Sequence, residues 1–162
     1  MPPCRQEPWP RVNDLRPILL VDDDANDIEL ALTALAEHNL VNPIIVLRDG
    51  AEALDYLFQR GAFAGPQFQA PIVVLLDLKM PKLNGLDVLR QLKTHPDLRA
   101  VPVVMLTSSR EERDLVDSYQ LGVNAYVVKP VNFREFVEAI RGLGVFWALI
   151  NEPPPVARVT GA

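Results

Sequence analysis

The chain has 162 residues, with 16 Lys and Arg against 21 Asp and Glu and a formal charge of −5. That length suits one domain with a sizeable core, and an acidic balance without a basic stripe excludes nucleic acid as the expected partner. The single cysteine, Cys4, excludes an internal disulfide and a cysteine-held zinc site, which is compatible with a reducing cytoplasm.

The opening MPPCRQEPWPRVNDLR lacks the apolar centre of a signal peptide. No run reaches the roughly 18 apolar residues of a spanning helix, so the expectation is a cytoplasmic protein with no membrane partner. Residues 1–14 are proline-containing and aperiodic and predict a mobile arm before a domain over 15–150, with a Pro-rich tail over 151–162. Ile18-Leu19-Leu20-Val21 is an unbroken apolar run, the pattern of a strand buried on both faces, and it runs into Asp22 and Asp23. Asp24 is placed to cap a helix carrying Ile28, Leu30, Ala31, Leu32 and Leu35 to about His38. A second strand over 44–47 ends at Arg48, and Asp49-Gly50 opens a helix through Ala53, Leu54, Leu57 and Phe58. Residues 61–70 form a connection longer than such loops usually are. The third strand, 72–76, delivers Asp77, and the loop Met80-Pro81-Lys82-Leu83-Asn84-Gly85 leads to a helix start at Asn84 with Asp87, ahead of Leu86, Val88, Leu89 and Leu92. The fourth strand, 103–106, delivers Thr107, and Ser109 with Glu112 reads as a capping box for a helix ending at Gly122. The fifth strand, 126–128, delivers Lys129, and Asn132 with Glu135 starts a fifth helix.

Strands alternating with helices predict an α/β fold with a parallel sheet. In such sheets ligands bind beyond the carboxyl ends of the strands, so Asp22, Asp23, Asp77, Thr107 and Lys129 share one crevice. Gathered carboxylates repel one another and call for a hard divalent cation such as Mg2+. A lone Asp at a strand end is more often only an N-cap; the whole set at the same ends argues for one site. Asp24 points elsewhere. His38 and His95 stand outside any acidic cluster, and the charged run 110–114 reads as a solvated helix face.

Val-Asp-Asp at 21–23, Leu-Leu-Asp-Leu-Lys-Met-Pro at 75–81, Leu-Thr-Ser at 106–108 and Tyr-Val-Val-Lys-Pro at 126–130 resemble the receiver domain of two-component response regulators over about 15–141. Within that family the chain resembles the single-domain regulators paired with bacterial phytochrome kinases, through Asn-Asp-Ile-Glu-Leu in the first helix and a Trp-containing end before Asn-Glu-Pro-Pro-Pro. The resemblance implies a flavodoxin-like (CheY-like) fold, doubly wound, with five parallel strands in the order 2-1-3-4-5. It implies that Asp77 is the phosphoacceptor for a sensor histidine kinase of phytochrome type, and that Asp22, Asp23, Asp77 and the Lys79 backbone carbonyl hold Mg2+. Lys129 would pair with a phosphoryl oxygen, Thr107 would donate its hydroxyl to another, and Tyr126 would turn inward as Thr107 moves. Pro130 would follow a cis peptide bond that aims Lys129 into the site. On this reading the chain is not an enzyme, although it assists its own phosphorylation and dephosphorylation, and its output is binding to another protein or phosphoryl relay.

Two alternatives compete. A haloacid-dehalogenase-like, Mg-dependent phosphohydrolase also sets a nucleophilic Asp after a buried strand, but it wants a second Asp two residues on, where this chain has Lys79. A flavodoxin-like FMN-binding or structural domain would set its carboxylates against the cofactor phosphate. Residues 142–150, Gly-Leu-Gly-Val-Phe-Trp-Ala-Leu-Ile, carry no charge. A segment apolar all round needs cover on both sides. The segment could fold back onto its own domain over the apolar loop near Phe63 and Phe68, but the resemblance favours a homodimer packed through Phe146, Trp147 and Ile150.

Overall fold

The computed structural model describes residues 16–36, 42–65, 68–108, 117, 119–129 and 134. Five strands, β1 (Ile18–Val21), β2 (Ile44–Leu47), β3 (Val73–Asp77), β4 (Val103–Thr107) and β5 (Ala125–Val128), alternate with α1 (Ala25–Ala36), α2 (Gly50–Leu57) and α3 (Gly85–Thr94). All strand pairs are parallel, in the order β2-β1-β3-β4-β5. The order reverses at β1, whose two neighbours are β2 and β3, and a crevice opens there beyond the strand ends. Register brings those ends level: Val21 lies opposite both Leu47 and Leu76, and Thr107 lies opposite Val128.

The unbroken apolar runs have the expected cause. Alternate strand residues point to opposite faces, and each face has its own buried cluster. Leu19, Val21, Val74, Leu76, Val103 and Met105 pack with Leu54 and Leu57 of α2 and with Val88, Leu89 and Leu92 of α3. Ile18, Leu20, Val73, Leu75, Val104, Leu106 and Val127 pack with Ile28, Ala31 and Leu35 of α1. Each fully buried Leu or Ile contributes roughly 1.5–3 kcal/mol, so a polar residue inside a run would cost both its transfer energy and a ladder position. Leu30 departs from the expected apolar stripe of α1 and is 54% exposed. It sits on the far side of the helix from Ile28, Ala31 and Leu35.

Helix starts follow side-chain chemistry. Asp24 Oδ1 accepts from the backbone N–H of Asn26 at 2.8 Å and of Asp27 at 3.0 Å, the N-cap predicted for α1. Asp49 accepts from Glu52 N at 2.7 Å, and the Glu52 carboxylate accepts from Arg48 N at 2.9 Å. Asn84 and Asp87 form the reciprocal capping box of α3. Gly85 is demanded by space: a Cβ there would stand 2.3 Å from the Asp77 carbonyl oxygen. The start of α3 thus presses on the end of β3. At the opposite end of the strands Arg16 donates to the carbonyls of Ala70 and Pro71, at 2.9 and 2.7 Å, and clamps the beginnings of β1 and β3.

β3 is shifted one residue onward from the expected 72–76 and β4 takes in one residue more, so Asp77 and Thr107 are the last residues of their strands, and β5 starts one residue earlier at Ala125. Asp117, Tyr119 and Gln120 are helical, and the turn that follows reaches Gly122 at φ +92°, in line with the predicted helix end. The long connection after α2 holds a 3-10 turn, Gly61–Phe63, and the ring of Tyr56 lies 5.4 Å from those of Phe63 and Phe68. The arm over 1–14, His38, the Ser109/Glu112 and Asn132/Glu135 helix starts, Pro130, the dimer residues Phe146, Trp147 and Ile150, and the tail over 151–162 lie outside the described residues. Among the described residues no helix is long and apolar enough to cross a membrane.

Candidate phosphoryl and metal site

The site gathers residues from the ends of β1, β3 and β5 and from the first turn of α1. β1 ends on Val21, and its ladder continues one step through Asp22, whose N–H donates to Leu47 O at 3.0 Å. That bond fixes Asp22 as a buried residue, while Asp23 is exposed at the rim. The Asp22 Oδ1 accepts from Asp24 N at 3.0 Å, so this loop turns around its own carboxylate. Asp77, the last residue of β3, is buried as well. One carboxylate oxygen from each of Asp22, Asp23 and Asp77 can be chosen so that all three lie within 4.8 Å of one another.

Lys129 follows β5 immediately and reaches across to these acids. Its Nζ donates to Asp22 Oδ2 at 2.5 Å, Asp27 Oδ2 at 2.9 Å and Asp77 Oδ1 at 3.1 Å. The side chains of Lys129, Asp22 and Asp77 are only 10%, 3% and 8% exposed, whereas Asp27 is 35% exposed. Burial alone disfavours the Lys129 ammonium, but hydrogen bonds to Asp22 and Asp27 and the charges of Asp77 and Asp22 outweigh it and raise its pKa above the ordinary lysine value. Burial acts in the opposite sense on Asp77. It pushes that carboxyl up to about 6, with Asp22 and Asp23 adding to the rise and Lys129 opposing it.

Among the described residues, Asp22, Asp27 and Asp77 thus surround the Lys129 ammonium, with Asp23 beside Asp22 and Asp77. Two unit charges 4 Å apart interact by about 4 kcal/mol at an effective dielectric near 20, so the excess of negative charge is a standing cost. A second cation would relieve it. Mg2+ takes oxygen ligands and is held by one or two carboxylates with several waters, so oxygens of Asp22, Asp23 and Asp77 would hold it directly or through water.

The remaining predicted residues are placed as follows. Thr107 closes β4 opposite Val128, one residue before Lys129. Tyr126 lies opposite Met105 and packs, partly buried, on the sheet face that carries α2 and α3. Lys79, two residues beyond Asp77, is exposed. Sequence reasoning missed Asp27. An acid in the first turn of a helix is explained well enough by the helix dipole. The available signal was positional: Asp24 caps α1, which sets Asp27 in its first turn beside the end of β1.

The raised Asp77 pKa gives a stability prediction. The folded protein holds the Asp77 proton more tightly than the unfolded chain does, so this contribution is fully present below the ordinary value of 3.8 and is lost as pH rises through about 6. In chelator-treated buffer above pH 6, Asp77→Asn should be more stable than wild type by roughly 1–3 kcal/mol. Urea denaturation at a series of pH values should show the advantage fading as the buffer is acidified below 6. An advantage that grows on acidification would contradict the electrostatic account.

Comparison with known proteins agrees with this geometry. The profile of the response regulator receiver domain matches residues 18–141. The response regulator Rcp1 of Synechocystis sp. is 38% identical over 135 residues, which cover 83% of this chain and 90% of Rcp1. Among solved structures, the bacteriophytochrome response regulator RtBRR is 61% identical with a TM-score of 0.77, covering 87% of this chain and 85% of its own. The Mn(2+)-bound form of Rcp1 is 37% identical with a TM-score of 0.68, covering 86% and 99%. These matches leave the haloacid-dehalogenase-like phosphohydrolase reading without support. With its sheet order, its acidic strand ends and a receiver profile along most of its length, the chain belongs to the response regulator receiver domain family and is a two-component response regulator.

Proposed function

We propose that Asp77 accepts a phosphoryl group from the phosphohistidine of a sensor histidine kinase of the bacteriophytochrome type. The observation that carries this reading is the Lys129 ammonium held by Asp22 and Asp77 beside an oxygen set fit for a divalent cation. The likeness to bacteriophytochrome regulators supports the choice of kinase. An Asp77 carboxylate oxygen attacks phosphorus, the phosphorus–nitrogen bond to the donor imidazole breaks, and its electron pair stays on the ring nitrogen. The product is an acyl phosphate on Asp77.

The chain's residues divide the work by position. Asp22, Asp23, Asp77 and the Lys79 backbone carbonyl would hold Mg2+, which when bound supplies positive charge to offset that of the transferring group. Lys129 pairs with one phosphoryl oxygen and carries the change to β5. The Thr107 hydroxyl donates to another, and Tyr126 follows Thr107 inward, with Pro130 aiming Lys129 through a cis bond. The same groups let the chain assist its own phosphorylation and dephosphorylation. The uncharged run 142–150 further supports a homodimer packed through Phe146, Trp147 and Ile150.

Incubation with Mg2+ and acetyl phosphate, followed by intact mass spectrometry, should add one phosphoryl group to wild type and none to Asp77→Asn. A phosphorylated Asp77→Asn protein would overturn the assignment. On the assembly, light scattering at tens of micromolar should find wild type dimeric and Trp147→Glu monomeric yet still phosphorylated. A monomeric wild type, with and without phosphate, would reject the dimer.

A further inference from the structure

Three carboxylates hold the Lys129 ammonium, and the proposed chemistry claims only two of them. Asp22 and Asp77 would turn to a divalent cation, and Asp77 would also receive the phosphoryl group. Lys129 already draws on one oxygen of Asp22 and one of Asp77, so a divalent cation taking those carboxylates competes with the ammonium and weakens its hold there. A displaced ammonium left without a partner at that depth would cost the full penalty of a buried, uncompensated charge. Asp27 is already 2.9 Å from Nζ. Its own backbone N–H is held by the Asp24 cap at 3.0 Å, so its position is set by the start of α1 and not by Lys129. It is also the most solvated of the three acids, with 35% exposure.

We propose that Asp27 is the positioning residue for Lys129: it keeps the ammonium when Asp22 and Asp77 are given over to the cation, and so lowers the cost of filling the site. This rests on the proposed cation site and adds to it a residue that neither ligates the ion nor touches the transferring group. The consequence is a particular pattern of coupling. Without the Asp27 charge, Lys129 competes harder for Asp22 and Asp77, and the cation binds more weakly. Without Lys129 there is no ammonium to rehouse, and Asp27 matters only through its distant charge.

The test is calorimetric Mg2+ binding to the full chain in a double-mutant cycle. Asp27→Asn, nearly isosteric with the native residue, should weaken Mg2+ binding by about tenfold, as expected for loss of one charge-assisted hydrogen bond. Lys129→Ala should bind Mg2+ more tightly than wild type, and adding Asp27→Asn to it should change affinity by less than about twofold. Asp27→Ala should repeat the pattern and guards against an effect peculiar to the amide. Equal losses in both backgrounds, or no loss in either, overturn the positioning role while leaving the cation site standing. If wild type itself binds no Mg2+, the cation site falls and the positioning role falls with it.

Discussion

The Lys129 ammonium among Asp22, Asp27 and Asp77 is the interaction on which the rest of the structure depends. It crosses from the last strand to the first, to the central one and to α1, joining elements that are far apart in sequence. Buried ion pairs of this kind are weak evidence for stability, because desolvation offsets much of the Coulomb gain. What the arrangement does is hold a surplus of negative charge in a fixed place. Among the described residues one ammonium stands among four carboxylates, and it is burial first, with the charges of Asp22 and Asp23 adding to it, that raises the Asp77 pKa against the pull of Lys129.

The sheet is what makes such an arrangement tolerable. Twelve of the thirteen strand-face residues named in the two core clusters above are Leu, Ile or Val, the exception being Met105, and they bury against α2 and α3 on one side and α1 on the other. That core fixes the strand ends in level register, so the acids on β1 and β3 and the lysine after β5 have little freedom to separate. Gly85 adds a second constraint. Its missing side chain lets α3 seat against the carbonyl of Asp77, which ties the backbone of that residue to a helix. An acidic cluster that violates local stability rules, on a scaffold that obeys them, is the pattern expected of a functional site.

Much of this was legible in the residues themselves. The strands were, because a core buried on both faces leaves unbroken apolar runs with no competing helical period. The capping box of Asn84 and Asp87 was, because its chemistry is local. Asp22, Asp23, Asp77 and Lys129 could be gathered because each stands at a strand end and a parallel sheet brings such ends together. Asp27 could not be found that way, since its role depends on which direction a side chain leaves a helix turn. Leu30 misled for a related reason: it falls within an apolar stretch, yet its neighbours Ile28, Ala31 and Leu35 define the inward face and leave it outside. The ends of β3 and β4 differed by one residue because Asp77 and Thr107 keep ladder geometry, opposite Leu106 and Val128.

The receiver family sets the frame, and the acidic crevice with its shared ammonium gives that frame its chemistry in this chain. On the proposed function a single carboxylate, that of Asp77, takes the phosphoryl group. Borohydride reduces an acyl phosphate to an alcohol, so the phosphorylated protein, reduced and digested, reports the acceptor by peptide mass. The account predicts homoserine at position 77 alone; homoserine at position 22, 23 or 27 would contradict it.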